Sequence, residues 1–313
     1  MLDSLHIQNY RLFKDLKIEK LGQVNLIAGK NNSGKTALLE ALRILGSHAN
    51  NLVINDIIAK RGDFQLGIVS CLSSLLGDTS NFINEFKING LKISALEAFA
   101  FNVIFDDSYN KKIKQFESFE LETNTLVNNP VIGDVIYLPL IFENENDAKF
   151  WDKISLTPKE EDVIKILKII DDRIKIVRYD SGNIKVLLDG EESPRLMKNL
   201  GEGVNRLFSI ALALVNSQNK MLLIDEFEVG LHHSVQTQLW EIIFKYAQEW
   251  NIQVFVTTHS LDTVKAFSEV TDKYGDMGQY MRLQKSKLTD DIEAVIYSKK
   301  ELDTSVDNLY ETR

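Results

Sequence analysis

Apolar residues recur along the chain with two periods, and each predicts a different element. Leu5-His6-Ile7 and Leu16-Lys17-Ile18 alternate apolar and polar residues, as two short strands of an antiparallel ribbon would. Val24-Asn25-Leu26-Ile27-Ala28 is mostly apolar, as in a strand buried on both faces of a sheet. It runs into Gly29-Lys30-Asn31-Asn32-Ser33-Gly34-Lys35-Thr36 and then into Ala37-Leu38-Leu39-Glu40-Ala41-Leu42, a stretch of good helix formers. The order is strand, glycine loop, helix.

From about Gly46 to about Asp134 the periodicity weakens, with scattered Asn, Gly and Asp and short amphipathic pieces such as Phe101-Asn102-Val103-Ile104-Phe105. An inserted, partly β subdomain is expected there. Order returns at Val135-Ile136-Tyr137-Leu138. Thr157-Pro158-Lys159-Glu160 combines an N-cap Thr, a Pro at the first helical position and a Glu to close a capping box, predicting a helix to about Asp171. Ile174-Lys175-Ile176-Val177 and Ile184-Lys185-Val186-Leu187 flank a turn containing Asp180-Ser181-Gly182-Asn183 and read as a hairpin. The last third alternates a helix from about Gly203 to Asn216, a strand at 221–224, a helix from about Val235 to Gln248 and a strand at 253–257. Leu207, Ile210, Ala211 and Leu214 share one helix face, and Leu239, Ile242, Ile243 and Tyr246 another. Residues 281–296 suit a strand or two at the sheet edge. The expected architecture is α/β with a mixed, largely parallel core sheet, divided as residues 1–45, 46–134 and 135–313.

Composition narrows the class. Of the 313 residues, 44% are hydrophobic and 26% charged, enough to bury one large or two modest cores. No run approaches the ~20 apolar residues of a membrane helix, and the N-terminus lacks a basic region followed by an apolar one. A cytoplasmic location without membrane contact is expected. The single Cys71, read as a small core residue, excludes an internal disulfide framework. A net charge of -9 and a pI near 5.2 argue against a surface that wraps nucleic acid by itself, while leaving room for a local basic patch. The five histidines show no HExxH-like spacing.

The candidate chemistry lies at three strand ends. Residues 29–36 match GxxxxGK[ST]. In this pattern the glycines let backbone N–H groups turn in around phosphates, Lys35 reaches the β- and γ-phosphates, and Thr36 holds Mg²⁺, all at a helix N-terminus. Met221-Leu222-Leu223-Ile224-Asp225-Glu226 is an apolar strand ending in two acids. Asp225 is the expected magnesium partner and Glu226 the general base. Val254-Phe255-Val256-Thr257-Thr258-His259-Ser260 brings a histidine to the end of another strand, where His259 is a candidate for contact with the γ-phosphate or the water.

Together these residues resemble the SMC/RecF and overcoming-lysogenisation-defect group of ABC-type ATPases. The resemblance is closest to the small bacterial proteins labelled AAA-family or ATP-binding ATPases. It covers residues 1–36 and about 152–268, including Ile154-Ser155-Leu156-Thr157-Pro158, Leu200-Gly201-Glu202-Gly203-Val204-Asn205-Arg206-Leu207 and Gly230-Leu231-His232-His233. It implies an ABC-type ATPase head that binds ATP and Mg²⁺, with Arg11 of Asn9-Tyr10-Arg11-Leu12-Phe13 near the nucleotide. It also implies that Gly201, Glu202, Gly203 and Arg206 occupy the signature position, facing ATP on the opposite subunit. Gly201-Glu202-Gly203 stands where a transporter has Ser-Gly-Gly, so the serine contact is missing. The family's D-loop falls at 228–232 without its usual aspartate, and Gln65 is the candidate for the Q-loop.

The expected partners are a second copy in a nucleotide-dependent homodimer or higher homo-oligomer, and a separate effector such as a nuclease or toxin in anti-phage defence. The alternative is a RecF/SMC-like repair ATPase that binds DNA. About 45 residues follow Ser268, too few for an appended nuclease domain, and the insertion carries no heptads for a long coiled coil.

Overall fold

The computed structural model describes residues 1–47, 135–140, 144–180 and 183–307, with Val53, Asp56, Ile57, 92–94 and 100–102. Most of the expected insertion, with Cys71 and Gln65, lies outside the described residues. The chain divides into two compact units. The first comprises Met1–Leu21, Gly29–Asp134 and Met281–Ile296; the second comprises Gly22–Ala28, Val135–Tyr280 and Tyr297–Arg313.

The first unit opens on the expected ribbon. Strands β1 (Leu5–Tyr10) and β2 (Phe13–Ile18) pair antiparallel from Leu5↔Ile18 to Tyr10↔Phe13. Their alternation buries Leu5, Ile7, Leu16 and Ile18. The two-residue link is closed by Arg11 in a left-handed conformation, φ 53°. Helix α1 (Lys35–Gly46) buries Leu38, Leu39, Leu42 and Leu45. Two short strands, β4 (Lys92–Ser94) and β5 (Ala100–Asn102), complete a sheet of order β2-β1-β4-β5.

The second unit is built on parallel strands. Strand β3 is Val24–Ala28, β6 is Val135–Leu138, β10 is Met221–Ile224 and β11 is Gln253–Thr258. Strand β11 lies between β3 and β10, with Val24↔Val254, Ala28↔Thr258 and Ile224↔Val256 in register. Strand β6 borders β10 on the other side. Strands β12 (Gly278–Lys285) and β13 (Ile292–Tyr297), most of whose residues fall in the first unit, are the strands expected of the tail. Every residue of β3, β10 and β11 is buried, which accounts for their continuous apolar runs.

The helices of this unit present the predicted stripes, except that Ile242 is only half-buried. Helix α4 (Glu202–Val215) buries Leu207, Ile210, Ala211 and Leu214, and α5 (His233–Glu249) buries Leu239, Trp240, Ile243 and Phe244. The Trp240 ring stacks on Phe227 at 4.6 Å and meets Phe267 of α6 (Leu261–Tyr274) edge-on at 5.0 Å. Strands β7 (Ile174–Asp180), β8 (Asn183–Leu188) and β9 (Arg195–Leu196) form a separate antiparallel sheet containing the expected hairpin.

Two expectations need correction. Helix α3 runs Lys159–Leu167 rather than to Asp171, and Thr157 does not cap it. The Thr157 hydroxyl donates back to Ile154 O at 2.6 Å, because a preceding helix, α2 (Asn144–Ile154), ends there and offers its free carbonyls. Glu160 still reaches back, one residue further than a capping box requires, and accepts from Leu156 N at 3.1 Å. Helices α2, α6 and α7 (Lys299–Asp307) were not foreseen. Among the described residues no helix is long and apolar enough to cross a membrane.

Candidate functional site

In the first unit the chain leaves Ala28 directly into residues 29–34 and then α1. Asn32 and Gly34 adopt left-handed conformations, φ 63° and 96°. A Cβ on Gly34 would lie 2.8 Å from the Phe13 ring, so the turn of the ribbon presses on the loop and requires glycine. Helix α1 starts without a side-chain cap or an acid in its first turn, leaving its positive dipole end to an anion. The buried Lys35 donates from Nζ to Gly29 O at 2.8 Å and Lys30 O at 3.1 Å, which draws the ammonium across the loop. Ser33 Oγ is buried with no hydrogen-bond partner among the described residues. A buried hydroxyl of this kind costs free energy until an acceptor arrives, and a phosphate oxygen supplies one. The cation, the helix end and the orphaned hydroxyl together fit a triphosphate.

Arg11 is tied to the same helix. Its Nε lies 2.6 Å from Glu40 Oε2, one turn beyond Thr36, and Tyr10 OH donates to the same oxygen at 3.4 Å. The motif around Arg11 therefore clamps the ribbon to α1.

In the second unit the acids follow β10. Asp225 is buried; its N donates to Leu138 O at 2.9 Å, continuing the strand ladder, and its Oδ1 accepts from Thr257 Oγ1 at 2.5 Å. Tyr137 OH donates to Oδ2 at 3.4 Å. At Glu226 the backbone turns left-handed, φ 48°, and its N donates to the same Thr257 Oγ1 at 2.9 Å. One hydroxyl thus fixes both acids. A left-handed non-glycine residue costs roughly 1–2 kcal/mol, and surrounding bonds must hold it.

Arg206 supplies those bonds. It donates to Asp225 O at 2.7 Å, Glu226 O at 3.3 Å and Pro139 O at 2.9 Å. Burial lowers its pKa from the ordinary arginine value, opposed by Asp225, Glu228 and Glu226. Sequence grouped Arg206 with the signature facing another subunit; the structure turns it inward onto its own chain. Gly201 and Glu202 remain exposed, with Gly201 at φ 102°. A Cβ on Gly203 would lie 2.9 Å from Gly230 O, so the start of α4 is packed backbone to backbone on the loop after the acids.

That loop also holds the histidine. Glu228 Oε2 accepts from Thr258 Oγ1 at 2.8 Å, while Oε1 accepts from His259 N at 2.9 Å and lies 2.8 Å from His259 Nδ1. Thr257, Glu228 and Tyr137 were missed at the level of sequence. Two adjacent threonines ending an otherwise apolar buried strand were the available clue, since buried hydroxyls need partners.

Residues 78–264, more than half of the chain, match the family model described as "AAA domain, putative AbiEii toxin, Type IV TA system". The chain belongs to that family. Residues 1–130 match a second model, "AAA ATPase domain". The ATPase is 26% identical to an "ATP/GTP phosphatase" of Helicobacter pylori over 86% of this chain and 88% of that protein. It is 33% identical to the DNA replication and repair protein RecF of Shewanella pealeana over 32% of this chain and 30% of that protein. An SMC head bound to the C-winged helix domain of ScpA superimposes with TM-score 0.54 at 11% identity, covering 95% of this chain and 97% of that one. The SMC head of Thermotoga maritima gives TM-score 0.51 at 12% identity, covering 95% and 99%. The fold is that of an SMC-like head, and the matched models make the chain an AAA-type ATPase.

Proposed function

We propose that this ATPase is a nucleotide-driven dimerisation switch controlling a separate effector protein, a nuclease or toxin, in a bacterial defence against phage. One observation carries the switch: the exposed Gly201-Glu202 turn begins the helix whose Arg206 holds the backbone carbonyls of Asp225 and Glu226. Pressure on that turn from a second subunit reaches the hydrolytic residues through a buried, hydrogen-bonded arginine. The family description, with its putative toxin and Type IV TA system, supports a place in a toxin–antitoxin type of system.

On this reading residues 29–36 hold the phosphates of ATP, with Lys35 neutralising charge, and Thr36 and Asp225 hold Mg²⁺. Magnesium, when bound, offsets the negative charge on the phosphates. Glu226 accepts a proton from the attacking water, and Gly201 to Gly203 face the nucleotide of the partner. Isolation from the native host with and without ATP, followed by identification of bound proteins, tests the effector: a nuclease or toxin retained in one nucleotide state supports it, and recovery of the ATPase alone in both states contradicts it.

The RecF similarity favours a second reading, a DNA-binding repair ATPase. Salt-sensitive DNA binding by the purified protein would support it; the net charge of -9 weighs against it.

A further inference from the structure

We propose that Glu228 is a positioning residue for ATP hydrolysis: it fixes the tautomer and direction of the His259 ring, making Nε2 the nitrogen that works on the water. The proposal rests on the assignment of His259 to the nucleotide site. The Glu228 carboxylate takes three hydrogen bonds from one short segment, Thr258 Oγ1 at 2.8 Å, His259 N at 2.9 Å and His259 Nδ1 at 2.8 Å. Its side chain is 11% exposed, against 46% for His259. The carboxylate already accepts from Thr258 Oγ1 and His259 N, and the oxygen facing Nδ1 is the one that accepts from His259 N, so the ring nitrogen at this position is the donor. The neutral ring then has its lone pair on Nε2. Such a ring accepts a hydrogen bond from water and has no proton to donate to phosphate.

The segment bearing Glu228 is itself anchored. Gln236 at the start of α5 accepts from Thr263 Oγ1 at 2.8 Å and donates to Leu231 O at 3.4 Å, and Thr263 N donates to Ser260 Oγ at 3.4 Å. The loop after the acids and the loop of the histidine are thus hydrogen-bonded to each other and to the starts of α5 and α6, so the support of His259 depends on residues 228–231.

The test begins with the unmodified protein labelled with ¹⁵N-histidine, the His259 signal being assigned by its loss in His259→Asn. At pH 8 it should show protonated Nδ1; a ring protonated on Nε2 overturns the proposal without any further variant. Steady-state hydrolysis then follows for Glu228→Gln, His259→Ala and the double variant, after circular dichroism confirms that each is folded. Glu228→Gln should lower kcat about 10-fold or more with KM for ATP changed less than about twofold. It should lose the Nδ1–H signature, and adding it to His259→Ala should cost nothing further. Independent, multiplicative losses, or a rise in KM at unchanged kcat, would make Glu228 a structural residue only. Lack of hydrolysis by the unmodified protein would indict the ATPase reading instead; retained activity in His259→Ala would remove His259 from the site.

Discussion

Lys35 lies over the carbonyls of its own loop, so its ammonium is already placed where phosphate charge would accumulate. Lys35→Ala should weaken ATP binding by about 100-fold or more, the ~3 kcal/mol scale of a charge-assisted bond, as read by calorimetric titration. Glu226 invites a different change. Glu226→Gln keeps the shape of the side chain and removes the base, so ATP should bind with near-normal affinity and turn over very slowly; a wild-type rate would assign the base elsewhere. A third residue, outside the site, adds a pH dependence of its own. Asp147 of α2 is buried against α4, where Ser209 Oγ donates to Oδ2 at 3.4 Å and Oδ1 has no partner among the described residues. Burial pushes its pKa up to about 7 from 3.8. The folded state therefore binds this proton more tightly than the unfolded chain, and stability falls as pH rises from about 4 through about 7. Asp147→Asn should flatten that dependence and raise the melting temperature at pH 8 by a few degrees, roughly 1 kcal/mol or more. Parallel melting curves at pH 5 and pH 8 decide it.

At the scale of elements, the contact of α4 with the loop after the acids depends on two glycines. A methyl at position 203 would meet the Gly230 carbonyl at 2.9 Å, with backbone on both sides and no flexible side chain to yield. Gly203→Ala should cost about 1–3 kcal/mol in denaturant unfolding and lower kcat by moving Arg206 off its carbonyls. The elements around this contact were legible in sequence because each carries its own period: the ribbon by alternation, β3, β10 and β11 by continuous apolar runs, α4 and α5 by three- and four-residue steps. Helix α2 was not legible, since Asn144-Glu145-Asn146-Asp147 reads as polar loop and the buried Trp151 and Ile154 come only in its second half. The capping box misled because its Thr157 was already spent on the carbonyl ending α2. The loop, the acids and the histidine could be named from local motifs. Their supports could not: Thr257 to Asp225 and Glu228 to His259 span 32 and 31 positions and exist only through the parallel register of β10 and β11.

At the scale of the whole molecule, the switch requires that each working site draw on two chains. A Lys35→Ala protein mixed with one carrying Glu202→Trp, a bulky side chain on the exposed first residue of α4, should recover part of the activity that each lacks alone. A mixed dimer contains one intact loop facing one intact turn. No recovery in confirmed mixed dimers would argue against independent composite sites. The most direct measurement is sedimentation of Glu226→Gln with saturating ATP and magnesium and, separately, with ADP. Trapped before hydrolysis, the protein should sediment as a dimer with ATP and as a monomer with ADP. The same monomer in both nucleotides, with ATP binding confirmed, would contradict a nucleotide-driven switch.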